Sequence, residues 1–209
     1  MNCDRIARWY QVMEYFTLGP TLERRRREFI GEIADAKRAL ILGDGDGRFT
    51  AKFLKVSKAC SVDCVELSAE MIRQARRRTE RIPTQAAVRF LNGDVMTVAL
   101  EGPYDLIVSH FFLDCFTTAQ VEQLVQRLVE VAPGARWVIS EFRIPANGVA
   151  SLAGSLLIGL LYRIFRWFTG LQVNRLSDYP QVFRKLGFEQ RQSRSALGGI
   201  LVSELWQIN

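Results

Sequence analysis

The chain is poor in the residues that build metal sites. It has one histidine, His110, and four cysteines (Cys3, Cys60, Cys64, Cys115), none of them in a Cys-x-x-Cys pair. A zinc centre of the usual Cys/His kind therefore lacks its ligands. Cys60 and Cys64 are four apart on a strand-like segment and so share a face, which suits buried free thiols in a reducing compartment. No basic-then-apolar segment of signal-peptide form opens the sequence, and the expected location is the cytoplasm. Internal repeats, low-complexity tracts and linkers are also missing. At 209 residues, with 48% hydrophobic and 24% charged, the chain suits one folded domain with a sizeable core and excludes a disordered one. Lys and Arg exceed Asp and Glu by 28 to 22, a net charge of +6 that tolerates an anionic partner without requiring one.

What is present is organised around Ala39-Leu40-Ile41-Leu42-Gly43-Asp44-Gly45-Asp46-Gly47. Four apolar residues run into glycines at every second position, and helical spacing follows at Phe49, Phe53 and Leu54. That reads as a buried strand, a tight turn and a helix start. Glycine belongs there because a side chain would keep a ligand from the backbone or forbid positive φ. The spacing is informative. A dinucleotide turn, G-x-G-x-x-G, would need glycine where Arg48 stands, and the Gly-Lys-Ser/Thr ending of a phosphate-binding P-loop is missing.

A second segment adds to this. Cys60 to Leu67 reads as the next strand and ends at Glu66, followed by Ser68 and Met71. In a βαβ nucleoside site a carboxylate at the second strand tip, about twenty residues after the turn, accepts from the ribose hydroxyls. The G-x-G-x-G turn and the phrase Val65-Glu66-Leu67-Ser68-x-x-Met71 together resemble the class I S-adenosylmethionine-dependent methyltransferases. The small-molecule branch, including ubiquinone/menaquinone-type enzymes, is the most similar. The resemblance covers residues 36–209. It implies an α/β, Rossmann-like seven-stranded sheet in the order 3-2-1-4-5-7-6, its last strand antiparallel, with S-adenosyl-L-methionine as cofactor.

The rest of the chain fits this plan. Ala87–Leu91 is the third strand and closes on Asn92-Gly93-Asp94-Val95. In the resembled family the corresponding Asp and apolar residue meet the adenine. Tyr104–Ser109 is the fourth strand, ending in His110-Phe111-Phe112-Leu113-Asp114-Cys115 beside the transferable methyl. Thr117 reads as an N-cap, Ala132-Pro133-Gly134 as the turn into the fifth strand, Trp137–Phe142, with Glu141 at its acidic end. Asp178-Tyr179 starts a helix closed by Gly187. Two strands, Phe188–Ser195 and Ile200–Trp206, form a hairpin.

The expected cofactor-binding residues are thus Gly43, Asp44, Gly45, Gly47, Glu66, Leu67, Met71, Asp94, Val95 and Ser109. The family's acidic residue before the first glycine is replaced by Ile41, and Asp44 or Asp46 is expected to take over its contact to the methionine amino group. For catalysis, His110 is the candidate base, Asp114 a second, and Tyr10 a ligand for acceptor oxygen.

Residues 5–16 read as an amphipathic helix ended by Gly19-Pro20, and a second helix follows from Thr21 with Leu22, Phe29, Ile30 and Ile33 on one side. Arg24 to Arg27 fall on its other side, as a solvated face or an anion contact. By the resemblance these helices form a lid, with Trp9, Tyr10 and Tyr15 facing the substrate. Residues 149–171 carry no charge until Arg163, but their strongly apolar part falls short of the ~20 residues of a spanning helix. Leu156, Leu160, Leu161 and Ile164 oppose Ser155, Gly159 and Arg163, an amphipathic helix that could pack on the sheet, roof a greasy pocket or lie on a bilayer.

The expected organisation is one domain over 1–209: lid helices 1–36, a cofactor-binding core 37–145, an apolar helical insertion 146–177, and a C-terminal helix and hairpin 178–209. The expected activity is methyl transfer to a small, lipophilic or aromatic acceptor. Two alternatives stay open. One is an RNA methyltransferase, although Ser109-His110-Phe111-Phe112 stands where base-amino enzymes commonly carry Asn/Asp-Pro-Pro-aromatic. The other is a non-catalytic S-adenosylmethionine-binding scaffold at a membrane surface, peripheral through residues 149–171.

Overall fold

The computed structural model describes residues 19–145, Gly154, Gly159 and 175–208. The expected helices over 5–16 and 149–171, and with them Trp9, Tyr10 and Tyr15, lie outside the described residues. Seven strands form one sheet in the order β3-β2-β1-β4-β5-β7-β6. In chain order the elements are α1 (Gly19–Arg26), β1 (Arg38–Leu42), α2 (Arg48–Val56), β2 (Ser61–Glu66), α3 (Ala69–Thr79), β3 (Val88–Asn92), β4 (Leu106–His110), α4 (Thr118–Val131), β5 (Arg136–Phe142), α5 (Tyr179–Lys185), β6 (Phe188–Ala196) and β7 (Leu201–Ile208).

The central strands are apolar on both faces because both faces are covered. Ala39 to Leu42 and Leu106 to Val108 are each at most 1% exposed. On one face Leu40, Leu42, Ile107 and Ile139 pack with Val121, Leu124 and Leu128 of α4 and with Phe183 of α5. On the other, Ile41, Val108 and Val138 pack with Phe49, Phe53 and Leu54 of α2 and with Phe29 and Ile33. The thiols of Cys60 and Cys64 are free and buried in that second core, as expected. Thr117 caps α4 in a reciprocal box with Gln120, and Asp178 accepts from Gln181 N at 3.1 Å to start α5.

β7 enters antiparallel between β5 and β6, so its Trp206 opposes Trp137. It also buries a carboxylate. Glu204 is fully buried and collects four donors: Arg143 Nη2 (2.6 Å) and Gln190 Nε2 (2.9 Å) on Oε1, Tyr179 Oη (2.8 Å) and Trp206 Nε1 (3.1 Å) on Oε2. Burial and the neighbouring Glu204 charge push the Tyr179 hydroxyl well above its ordinary pKa, so it stays a donor.

The first described helix departs from expectation. The helix expected to end at Gly19-Pro20 lies outside the described residues, and Gly19 and Pro20 themselves lie in α1, two residues earlier than the expected start at Thr21. The helix also stops at Arg26, with turns from 27 to 35 replacing the expected continuation to Ile33. The carbonyl of Arg25 shows why. It accepts from Ser140 Oγ (3.2 Å) and Ser203 Oγ (3.0 Å) on the sheet, and from Glu28 N in a tighter turn (3.2 Å). Nor is the arginine run a solvated face throughout: Arg25 and Arg26 are 6% and 7% exposed.

Among the described residues no helix is long and apolar enough to cross a membrane. Replacing the fully buried Glu204 with Ala leaves the half-buried Arg143 and two aromatic donors without their acceptor. Urea denaturation is expected to show a loss of ~3–5 kcal/mol, the usual effect of breaking a buried ion pair, and a loss below 1 kcal/mol would contradict it.

Candidate functional site

The C-terminal tips of β1, β2, β3 and β4 lie side by side, the edge at which open α/β sheets place ligands. At the tip of β1, Gly43, Gly45 and Gly47 all have left-handed φ (61°, 62° and 78°). Two of these positions exclude any side chain on contact as well. A Cβ on Gly43 would stand 2.3 Å from the Phe112 ring, and one on Gly47 would stand 2.7 Å from Ala75 Cβ. At Gly45 a Cβ would meet only Met71 Sδ, at 3.9 Å, so this stretch of backbone is open.

Asp44 proves to serve the helix that follows. Its Oδ1 accepts from Phe49 N (3.2 Å), and its Oδ2 from Thr50 N (2.8 Å) and Thr50 Oγ1 (2.6 Å). Burial pushes its carboxyl up to about 6, opposed by the Thr50 hydrogen bonds. Asp46 is buried as well and is bound by Arg48 Nε (3.0 Å) and Arg78 Nη2 (2.7 Å). Both aspartates, expected to meet a methionine amino group, brace the turn here. The reason is local: the free N–H groups at the start of α2 compete for the nearest carboxylate.

Glu66, at the tip of β2, is half-buried. Its Oε2 accepts from Gly45 N (3.2 Å) and its Oε1 from Ser68 N (2.9 Å), which ties the glycine turn to the start of α3. Asn92 Nδ2 donates to the carbonyls of Glu66 (3.1 Å) and Leu67 (3.0 Å), fixing β3 beside β2. Leu67 is 46% exposed and Met71 8%, so they flank Glu66 as an open and a buried apolar side chain. Asp94 is exposed at the β3 tip, with Met96 N on its Oδ1 (2.9 Å), and Val95 turns into the core. Gly43, Gly45, Gly47, Glu66, Leu67, Met71, Asp94 and Ser109 are therefore brought to one edge of the sheet.

β4 ends in two buried polar residues. Neither Ser109 Oγ nor the two ring nitrogens of His110 find a hydrogen-bond partner among the described residues. His110 packs edge-on to Phe49, ring centroids 4.6 Å apart. Burial, and then the charge of Arg26, push its imidazole well below its ordinary pKa. An unpartnered buried polar group calls for an explanation, and a ligand is one.

The turn after β4 carries features that sequence reading missed. Phe111 is left-handed at φ 54°, an unusual state for a bulky residue. Glu141 at the end of β5, 1% exposed, holds this turn. Its Oε1 accepts from Phe112 N (3.0 Å) and Leu113 N (2.8 Å). Burial and the adjacent Asp114 push the Glu141 carboxyl well above the usual range, and burial raises Asp114 to about 6. Phe112 lies against Gly43 and meets Phe116 edge-on at 5.1 Å, and Phe111 meets Phe142 at 5.2 Å. Nothing in the sequence announced a strand-five acid acting on a strand-four turn. Among the described residues no cluster of His, Cys, Asp and Glu could hold a metal ion.

Comparison with known proteins agrees with this geometry. Residues 39–133 match the family model described as a methyltransferase domain. The fold is shared with NodS, an N-methyltransferase from Bradyrhizobium japonicum WM9 solved with S-adenosyl-L-homocysteine. That match has a TM-score of 0.61 and 15% identity over 89% of this chain and 86% of that one. Mitomycin 7-O-methyltransferase MmcR matches with a TM-score of 0.67 and 15% identity over 90% of this chain and 54% of its own. In sequence, 79 residues are 34% identical to the tRNA1(Val) (adenine(37)-N6)-methyltransferase of Aeromonas hydrophila subsp. hydrophila, over 37% of this chain and 33% of that protein. The chain thus spans about a third of the length of that curated relative. Residues 39–133 are therefore similar to a methyltransferase domain, and the fold of the chain is shared with solved methyltransferases.

The environment of His110 has a testable consequence. A folded pKa below the unfolded ~6.5 favours the neutral ring, so its contribution to stability is full above pH 6.5 and is lost as pH falls toward the folded value. As the only histidine, His110 gives one imidazole signal in NMR. That signal is expected to show no inflection between about pH 6 and 8. An inflection near 6.5 would place the ring in solvent.

Proposed function

We propose that this protein transfers the methyl group of S-adenosylmethionine to a small, apolar or aromatic acceptor. The reading rests above all on the bare turn Gly43–Gly47 facing Glu66 across adjoining strand tips. The residues present fit such a nucleoside. The open backbone at Gly45 admits the methionine half, and Glu66, at the neighbouring strand tip, accepts from the ribose hydroxyls. Leu67 and Met71 flank the adenosine, Asp94 accepts from the adenine amino group, and Val95 backs the ring.

When bound, the cofactor supplies an electrophilic methyl on a sulfonium, transferred by in-line displacement. Most of the acceleration available to the protein is orientation and exclusion of water. The turn after β4 carries both duties. Phe111, Phe112 and Phe116 give it an apolar aromatic surface, and Glu141 fixes its backbone. His110, neutral at physiological pH, takes the proton from an acceptor that must lose one. Asp114 lies in the same turn, and its carboxyl near 6 makes it the second titratable group at this end of the sheet.

The match to a tRNA methyltransferase covers 79 residues. The turn of His110, Phe111 and Phe112 speaks for a small acceptor, because base-amino methylation commonly relies on an Asn/Asp-Pro-Pro-aromatic loop there. The neighbours that share the fold across most of this chain, NodS and MmcR, are named as an N- and an O-methyltransferase.

Two measurements test the reading. Calorimetry with S-adenosylhomocysteine is expected to show binding, weakened by ~1–3 kcal/mol in Glu66→Ala, the range for stranding buried donors. Radiolabelled methyl from S-adenosylmethionine should then enter a small molecule in a metabolite extract. Unchanged affinity in the variant, or label entering only RNA, would contradict the assignment.

A further inference from the structure

We propose that the outer face of α2 and α3 docks on a bilayer surface of anionic phospholipid. This goes beyond the methyl-transfer reading and does not depend on it. The two helices pack side by side. A Cβ on Gly47, just before α2, would stand 2.7 Å from Ala75 Cβ on α3, and Arg78 Nε of α3 donates to the Asp46 carbonyl at 3.0 Å. Each turns its apolar residues inward: Phe49, Phe53 and Leu54 of α2 and Met71, Ile72 and Ala75 of α3 are buried. What stays outside is basic. Lys52 and Lys55 are exposed on α2, Lys58 in the turn after it, Arg73 and Arg77 on α3, and Arg81 just past its end. Spacings of three and four residues stack such side chains on one helix face.

These cations find little negative charge on their own chain. From residue 69 to 81 five arginines stand against two glutamates, Glu70 and Glu80. Glu70 is bound by Arg73 Nε at 3.0 Å, and Arg78 is bound to Asp46. The side chains of Lys52, Lys55, Lys58 and Arg81 make no hydrogen bond or ion pair among the described residues. Exposed like charges this close repel one another, and an anionic surface removes that repulsion. Clustered lysines and arginines on amphipathic helices are a general means of reading anionic lipid headgroups. Two further observations favour lipid over nucleic acid. Val56, 47% exposed, stands among the lysines, and at headgroup level charge and hydrocarbon meet. A single nucleic-acid strand commonly stacks its bases on exposed aromatic rings, whereas the aromatic residues of these helices, Phe49 and Phe53, are at most 1% exposed.

Flotation of the full chain with phospholipid vesicles tests this. Wild type is expected to bind vesicles of phosphatidylcholine and phosphatidylglycerol in equal amounts and to ignore vesicles of phosphatidylcholine alone. Salt at about 1 M, where charges are screened beyond ~3 Å, should release it. Each basic residue near an anionic surface contributes about fivefold in affinity. Lys52→Gln combined with Lys55→Gln and Arg81→Gln is therefore expected to bind about a hundredfold more weakly. Lys185→Gln, on α5 and paired with Glu122, should stay within about twofold of wild type. No binding of wild type to the mixed vesicles, equal binding to both vesicle types, or unaltered affinity in the triple variant overturns the proposal. Binding of polyuridylate that the triple variant loses, by a protein that ignores the mixed vesicles, overturns it too, since the face would then serve nucleic acid. If the triple variant does not fold, Lys55→Gln with Arg81→Gln carries the same comparison at about twenty-five-fold. Calorimetry with S-adenosylhomocysteine reads the methyl-transfer proposal separately.

Discussion

The grip of two carboxylates on one glycine turn is the constraint from which the site follows. Five residues at the tip of β1 run through three left-handed positions, a backbone path with little to hold it in place. Asp44 ties the far side of that turn to the first N–H groups of α2, and Glu66 ties its middle to β2 through Gly45 N. Gly43 N adds a bond to the Val65 carbonyl at 2.9 Å. The two acids differ in their surroundings. Asp44 takes three hydrogen bonds from its own chain and is pushed toward neutrality, whereas Glu66 takes two from backbone and stands half-buried at the open edge. The first shapes the turn and the second stands at its open edge, where the nucleoside is proposed to lie.

Charge is treated differently in the body of the sheet. Asp63 is buried on β2, but Arg89 (2.7 and 2.8 Å) and Tyr104 Oη (2.6 Å) satisfy it. Burial alone would raise its carboxyl, yet those partners hold it below the usual range. Glu204 is likewise surrounded by donors. Such saturated networks lock strands in register and leave nothing for a ligand. At the tips of β4 and β5 the pattern changes, with Ser109, His110 and one oxygen of Glu141 lacking partners among the described residues. That contrast is what the roles proposed for this turn rest on.

The strands were legible because buried parallel strands are short unbroken apolar runs punctuated by Gly, Pro and Asp. Their order came from the family likeness of the glycine turn and the Glu66 phrase. What escaped was non-local. The end of α1 is set by Ser140 and Ser203, which lie 115 and 178 residues from Arg25 in sequence. Periodicity therefore continued a helix that the sheet cuts short, and it left buried arginines looking solvated. Asp44 and Glu66 are both acids beside glycine, and only geometry shows which of them faces a helix terminus. The left-handed Phe111, the Glu141 clamp and the Phe112 ring over Gly43 depend on neighbouring strand tips, and no spacing rule reports those.

The account is tested most directly by a crystal of this protein soaked with S-adenosylhomocysteine. It predicts density for the nucleoside against the backbone of residues 43–47, with both ribose hydroxyls on the Glu66 carboxylate. Density elsewhere on the molecule, or a ribose turned away from Glu66, would contradict it.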